Sequence, residues 1–187
     1  MPTILAHPFV ALAFKPTFDR AKIPPSVFII AALCCVLPDA DVVGFKLGIP
    51  YDSTFGHRGF THSVFFAVLV AGFVSWMYSR VPRRAFSLWP VFALIFLCTI
   101  SHPLLDALTS GGEGVALLAP FSNERYFFPW RPIRVSPIGI SRFVNGQANH
   151  VLLSELKWVV APCVVVWLLT RWLASKSSIT NNMEKRK

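Results

Sequence analysis

Acidic residues are scarce in this chain. Nine Asp and Glu stand against 18 Lys and Arg in 187 residues. Charged residues make up 14%, where a soluble domain carries about a quarter. With 54% apolar residues and a mean hydropathy of +0.55, that shortage argues against a soluble domain and for an integral membrane protein. Cysteine is also sparse. Cys34, Cys35, Cys98 and Cys163 all lie inside apolar runs without CxxC spacing, so no disulfide framework is expected and they read as small apolar packers. The N-terminus has no basic n-region and no small-residue cleavage site, so a cleaved signal peptide is not expected. Gly-x-Ser-x-Gly, P-loop and dinucleotide fingerprints are absent, which removes the best-known nucleophilic and nucleotide-binding classes. There is no internal repeat. A net charge of +9 is compatible with nucleic acid. The basic residues are scattered between apolar segments, however, which fits membrane topology and lipid headgroups better, so no nucleic-acid partner is expected.

The length fits one domain, read as membrane-embedded over residues 1–174 with a basic, disordered tail at 175–187. Two short apolar segments precede residue 40, Ile4–Phe14 and Ser26–Leu37. Three long helices are expected at 63–79, with Thr61 as N-cap, at 86–108, loosened at Pro103, and at 152–174. The fold class is therefore an all-α polytopic membrane protein. A long Gly/Pro/aromatic loop covers 109–150. Lys and Arg are richest after Phe14, at Arg80, Arg83 and Arg84, and from Arg171 onward. The positive-inside rule places those regions in the cytoplasm and the long loop outside. For a bacterial protein this means the inner membrane, with the opposite ends facing the periplasm.

Those opposite ends carry the chemistry. Four motifs sit at the ends of apolar segments: Ala6-His7-Pro8, Leu37-Pro38-Asp39-Ala40-Asp41, His57-Arg58-Gly59-Phe60-Thr61-His62-Ser63 and Ser101-His102-Pro103-Leu104-Leu105-Asp106. They hold four of the five His and three of the nine acids. At about 1.5 Å per residue, Asp39, His62 and His102 all fall just below the outer surface, with His7 deepest. Ionisable groups at such depth are expensive and mark function by default. Imidazole and carboxylate together suit a divalent transition metal, zinc first and manganese next. His102 and Asp106, four apart, share one helix face. Asp39 and Asp41, two apart, point the same way only on extended or turn backbone. His57 and His62, five apart, need the turn that Gly59 permits. The expected metal set is His7, Asp39, Asp41, His57, His62, His102 and Asp106, around one or two ions.

These motifs, with Ala119-Pro120-Phe121-Ser122-Asn123-Glu124-Arg125-Tyr126-Phe127-Phe128-Pro129-Trp130, resemble the YdjM-like family. It is described as LexA-regulated, membrane-bound, metal-dependent hydrolases, and the resemblance covers nearly the whole chain. The family is distantly similar to zinc-dependent phospholipase C and P1-type nucleases. The resemblance implies a hydrolase in which a metal ion activates water. Asp39, His62, Asp106 and Arg58 are the expected catalytic residues, with Asp39 or Asp106 able to bridge two ions. In the long loop, aromatics alternate with arginines, which suits an interface and phosphate headgroups. Arg58 and Arg125 are candidates for phosphate contact. The expected substrate is a phosphoester of a membrane lipid or other envelope molecule. A metal or proton transporter and a non-catalytic, metal-stabilised membrane protein remain as alternatives.

Overall fold

The computed structural model describes residues 2–82, 86–137, 143, 145 and 148–184. Arg83 and Arg84, part of the long loop and Lys185–Lys187 lie outside the described residues. Helices α1 (Phe9–Phe18) and α2 (Pro25–Cys34) are short. A 3₁₀ segment, Leu37–Leu47, follows α2. Then come α3 (Val64–Ser79) and α4 (Leu88–Ala107). The last stretch is α5 (Ala148–Glu155), a π-helical turn (Leu156–Val160) and α6 (Ala161–Glu184). Among the described residues there is no strand. Two isolated bridges, Thr109 to Ile133 and Val115 to Tyr126, fold the long loop back on itself.

The helix starts follow local chemistry. Pro24-Pro25 preset the first turn of α2, where a missing N–H costs nothing. Ser87 caps α4. Ser63, not Thr61, caps α3 by accepting from Phe66 N at 3.0 Å, because the Thr61 hydroxyl is committed to Asp41. Helix α4 spans 20 residues and continues through Pro103. Its length, about 30 Å, matches a hydrocarbon core.

Among the described residues, two helical spans are long and apolar enough to cross a membrane, Leu88–Ala107 and Ala148–Leu173. Helix α2 and the 3₁₀ segment, bent by 40°, count as a third if taken as one broken span. Helix α3, expected to be long, has 16 residues and falls among the shorter apolar helices. Helix α6 runs to Glu184, past the end at Ala174 read from the sequence.

Helix α3 lies along α4, α2 packs on α4, and α1 packs on α6. Lipid tails are as apolar as leucine, so these contacts rest on close fit. Small residues provide it: Ala31 and Ala71 are fully buried and Ala67 nearly so. Ala31 and Ala71 meet Val91, Leu94, Ile95 and Cys98 in one core. Cys34, Cys35 and Cys98 are buried there as free thiols. The outer faces of α3 and α6 expose Leu69, Phe73, Trp76, Leu168, Leu169 and Trp172. Apolar patches of that extent suit lipid, not water. A second small cluster of Ala6, Ile133 and Val159 joins the N-terminal turn, the loop and the π turn.

Candidate metal centre

The motif-bearing ends meet at one end of the helix pair. His102 and Asp106 project from the last turns of α4. Asp39 lies in the first turn of the 3₁₀ segment. His62 closes a short 3₁₀ turn, Phe60–His62, that leads into α3. Close approaches shape that turn: a Cβ on Gly59 would run into the backbone oxygens of Thr54 and Gly56. His62, His102 and Asp106 are fully buried, and the Asp39 side chain is 10% exposed.

One donor atom from each of Asp39, His62, His102 and Asp106 lies within 4.8 Å of the others. His102 Nε2 is 3.2 Å from Asp39 Oδ1. His62 Nε2 is 3.5 Å from Asp39 Oδ1 and 3.6 Å from Asp106 Oδ2. None of these pairs is aligned as a hydrogen bond; Asp39 Oδ1, His62 Nε2 and His102 Nε2 are buried without a hydrogen-bond partner, and Asp106 Oδ2 has only the Arg58 guanidinium beside it. Orphaned buried polar atoms are costly. A tetrahedral ion with bonds of about 2.0–2.1 Å holds its donors about 3.3–3.4 Å apart. Three of the six separations bracket that edge length and the rest lie within 4.8 Å, so the four residues could hold a single ion.

Both histidines are prepared for the role. His102 Nδ1 is 2.8 Å from the Cys35 carbonyl oxygen, to which it donates, leaving the Nε2 lone pair free. His62 Nδ1 lies 3.1 Å from Asp41 Oδ2, which frees its Nε2 in the same way. Carbonyl and carboxylate partners that fix the tautomer are the usual outer support of a metal histidine. Asp41 is the hub of that support. Its Oδ1 is 2.6 Å from His57 Nδ1, and its Oδ2 accepts from Thr61 Oγ1 at 2.7 Å and Arg58 N at 3.2 Å. The 2.6 Å separation is a hydrogen bond. Asp41, His57 and His62 also place one donor atom each within 4.8 Å of one another, a second group that could hold an ion beside the first.

His7 is fully buried, and both its ring nitrogens lack a partner. Its ring stacks on that of His102, with centroids 3.9 Å apart. It therefore borders the centre but stands outside the compact four-donor group.

Arg58 is the largest fully buried side chain. Its Nε sits 2.9 Å from Asp106 Oδ2. Its terminal nitrogens donate to the Gly111 carbonyl at 3.0 Å and to Thr109 Oγ1 at 3.2 Å. Arg125, the other phosphate candidate, donates to the carbonyls of His57 and Tyr51 at 3.1 and 2.8 Å. Asp52 and His150 are exposed and away from the group.

The charges also call for a cation. Asp39, Asp41 and Asp106 face one guanidinium, that of Arg58, which leaves two negative charges in a closed space. Burial pushes the His62 imidazole down, but the carboxylates of Asp39, Asp41 and Asp106 around it outweigh burial and hold its pKa up at about 9. A divalent ion balances the same excess.

The supporting groups were the harder part to foresee. Thr109 and Gly111 lie just beyond the Ser101–Asp106 motif, and only the fold brings them against Arg58. The Cys35 carbonyl carries no sequence signal, because every residue has one.

The family described as "YdjM inner membrane protein" matches residues 1–179. Inner membrane protein YbcI of Escherichia coli strain K12 is 38% identical over 174 residues, covering 92% of this chain and 98% of that protein. Inner membrane protein YdjM of the same organism is 37% identical over 97 residues, covering 48% of this chain and 47% of its own length. The Shigella flexneri protein of that name matches to the same extent. No solved structure matches the chain.

Proposed function

The chain belongs to the YdjM family of inner membrane proteins, and we propose that it is a membrane-bound, metal-dependent hydrolase that cleaves a phosphoester of a lipid or envelope molecule. The observation that carries this reading is the buried group of Asp39, His62, His102 and Asp106, whose donor atoms lie within 4.8 Å of one another and whose two histidine Nε2 atoms and Asp39 Oδ1 have no hydrogen-bond partner. Asp39, His62, His102 and Asp106 hold the ion, zinc first and manganese second. When bound, the ion supplies Lewis acidity and lowers the pKa of water toward neutrality.

The residues supply the rest. Asp41 and the Cys35 carbonyl keep Nε2 of both histidines directed inward. Asp39 is the only one of the four with an exposed edge, and it marks where water and substrate enter. His7, with both nitrogens unpartnered beside His102, accepts the proton that water loses. Arg58, fixed on Asp106, offsets negative charge that develops next to it. The topology inferred from Lys and Arg places the centre on the periplasmic side.

One observation favours a second reading. Four protein donors close a structural zinc site, whereas catalytic sites usually keep three and leave one position open. In that reading the ion only ties α4 to the 3₁₀ segment and the turn before α3. Purified protein loaded with zinc or manganese decides between them. Hydrolysis of lipid and nucleotide phosphoesters that chelation stops, and that Asp106→Ala lacks, supports the enzyme. Tight metal binding with no turnover of any of them supports the structural ion.

A further inference from the structure

Across Arg58 from the ion ligands lies a cavity of about 300 Å³, with Tyr51, His57, Arg58, Gly112 and Val135 on its walls. Among the described residues, no carboxylate lines it. Several features of its wall point to a bound anion.

Arg58 adopts a left-handed backbone, φ 62°, which side-chain-bearing residues rarely take. Strained positions of this kind persist where the surroundings over-determine them, and they cluster at binding sites. Each terminal nitrogen of a guanidinium carries two N–H groups. The bonds to Gly111 and Thr109 use one on each nitrogen, so each keeps a second N–H, and Arg58 is one of the residues lining the cavity. Gly112, with φ 94°, lies against the guanidinium. A Cβ there would stand 2.5 Å from Arg58 Nη1 and 3.2 Å from the Tyr51 hydroxyl. Guanidinium and phenol thus converge on one spot that only glycine leaves open. On the far side of Tyr51, the Arg125 guanidinium stacks 5.3 Å from the ring centre and adds positive charge.

We propose that this cavity binds the phosphate group of a phosphomonoester, with Arg58 and Tyr51 as its donors, directly beside the metal centre. The proposal rests on the hydrolase reading and names its substrate's anchoring group. Three donors from two side chains suit a tetrahedral oxyanion better than a planar carboxylate, and guanidinium is the side chain fitted to such anions. The volume sits at the low end for small-ligand sites. It admits a headgroup and leaves a lipid's apolar part outside, toward the membrane.

The test is calorimetric titration of the detergent-purified, metal-loaded full chain with inorganic phosphate and with short-chain phosphatidic acid. Both should bind one per chain and compete. Tighter binding of phosphatidic acid assigns a lipid source, and binding of phosphate alone assigns a water-soluble one. Gly112→Val should lower phosphate affinity at least tenfold with metal content unchanged. Val135→Trp should do the same, since it fills the cavity from a residue outside the donor group. If Gly112→Val also loses metal, Val135→Trp decides. A parent that binds neither probe, or a Val135→Trp variant with parental affinity, overturns the proposal. Phosphate binding in the cavity without hydrolysis of any ester would keep this site and sink the hydrolase reading. Hydrolysis unaffected by both cavity variants would do the reverse.

Discussion

Asp41→Asn separates holding an ion from holding its ligands. The aspartate serves four donors: His57 through Oδ1, and Thr61, His62 and the Arg58 amide through Oδ2. Asparagine keeps the shape but offers one accepting oxygen. Either His57 or the other three must lose an acceptor and face an NH₂ group. In both cases His62 is no longer held as firmly with Nε2 inward, while the four ion-facing donors stay in place. Loss of an outer-shell partner typically costs 10–100-fold in metal affinity, or about 1.4–2.8 kcal/mol. Competition between detergent-purified protein and a chelator of known affinity measures this directly. The variant should still take up one ion per chain at saturating metal, at a midpoint raised by one to two decades. His102→Ala in the same assay should hold no ion under those conditions. If Asp41→Asn binds none either, Asp41 is itself a ligand. If its midpoint equals the parent's, the support described for His62 has no energetic weight. Either result refutes the reasoning.

Three other perturbations follow from the same geometry. Asp106→Ala removes a ligand and strands the buried Arg58 guanidinium. Breaking such a pair costs about 3–5 kcal/mol, so thermal unfolding of the metal-free variant should shift clearly downward, and an unshifted transition counts against the pair. Gly59→Ala places a methyl group against the Thr54 and Gly56 carbonyl oxygens. It should destabilise by more than about 1 kcal/mol and weaken metal binding with it, as read from unfolding and metal content together. Arg83→Cys and Ser177→Cys should react with impermeant thiol reagents only after the inner face of the membrane is exposed. Labelling from outside intact cells reverses the topology and puts the centre on the cytoplasmic side.

The membrane class and the helix-borne half of the centre were legible in the residues. The i,i+4 spacing of His102 and Asp106 places both on one face whatever surrounds them. Asp39 and Asp41 show where such reasoning stops. Extended or turn backbone would send both toward one ion, but on a 3₁₀ segment they turn apart, Asp39 joining His62, His102 and Asp106 and Asp41 joining His57 and His62. That backbone choice depends on contacts with the turn before α3, which local sequence does not contain. Arg58 is similar. Its left-handed backbone aims the side chain back at Asp106 and the loop after α4, away from an open surface. Helix ends were read to within a few residues where a serine caps them, as at Ser63 and Ser87. The π turn at Leu156–Val160 carries no comparable mark.

The link between the two ends of the chain bears on how the protein is made. The buried Glu155 carboxylate receives the Thr3 amide at 2.5 Å and the Thr3 hydroxyl at 2.6 Å, across 152 residues of sequence. His7 follows four residues later, so its place against the His102 ring depends on a helix that is made long after it. Domains otherwise assemble largely from the N-terminal side as they emerge. Here an early segment waits for a late one. Asp39, His62, His102 and Asp106 all precede Glu155 and can come together first, with His7 taking its seat beside them only when the Thr3–Glu155 link closes.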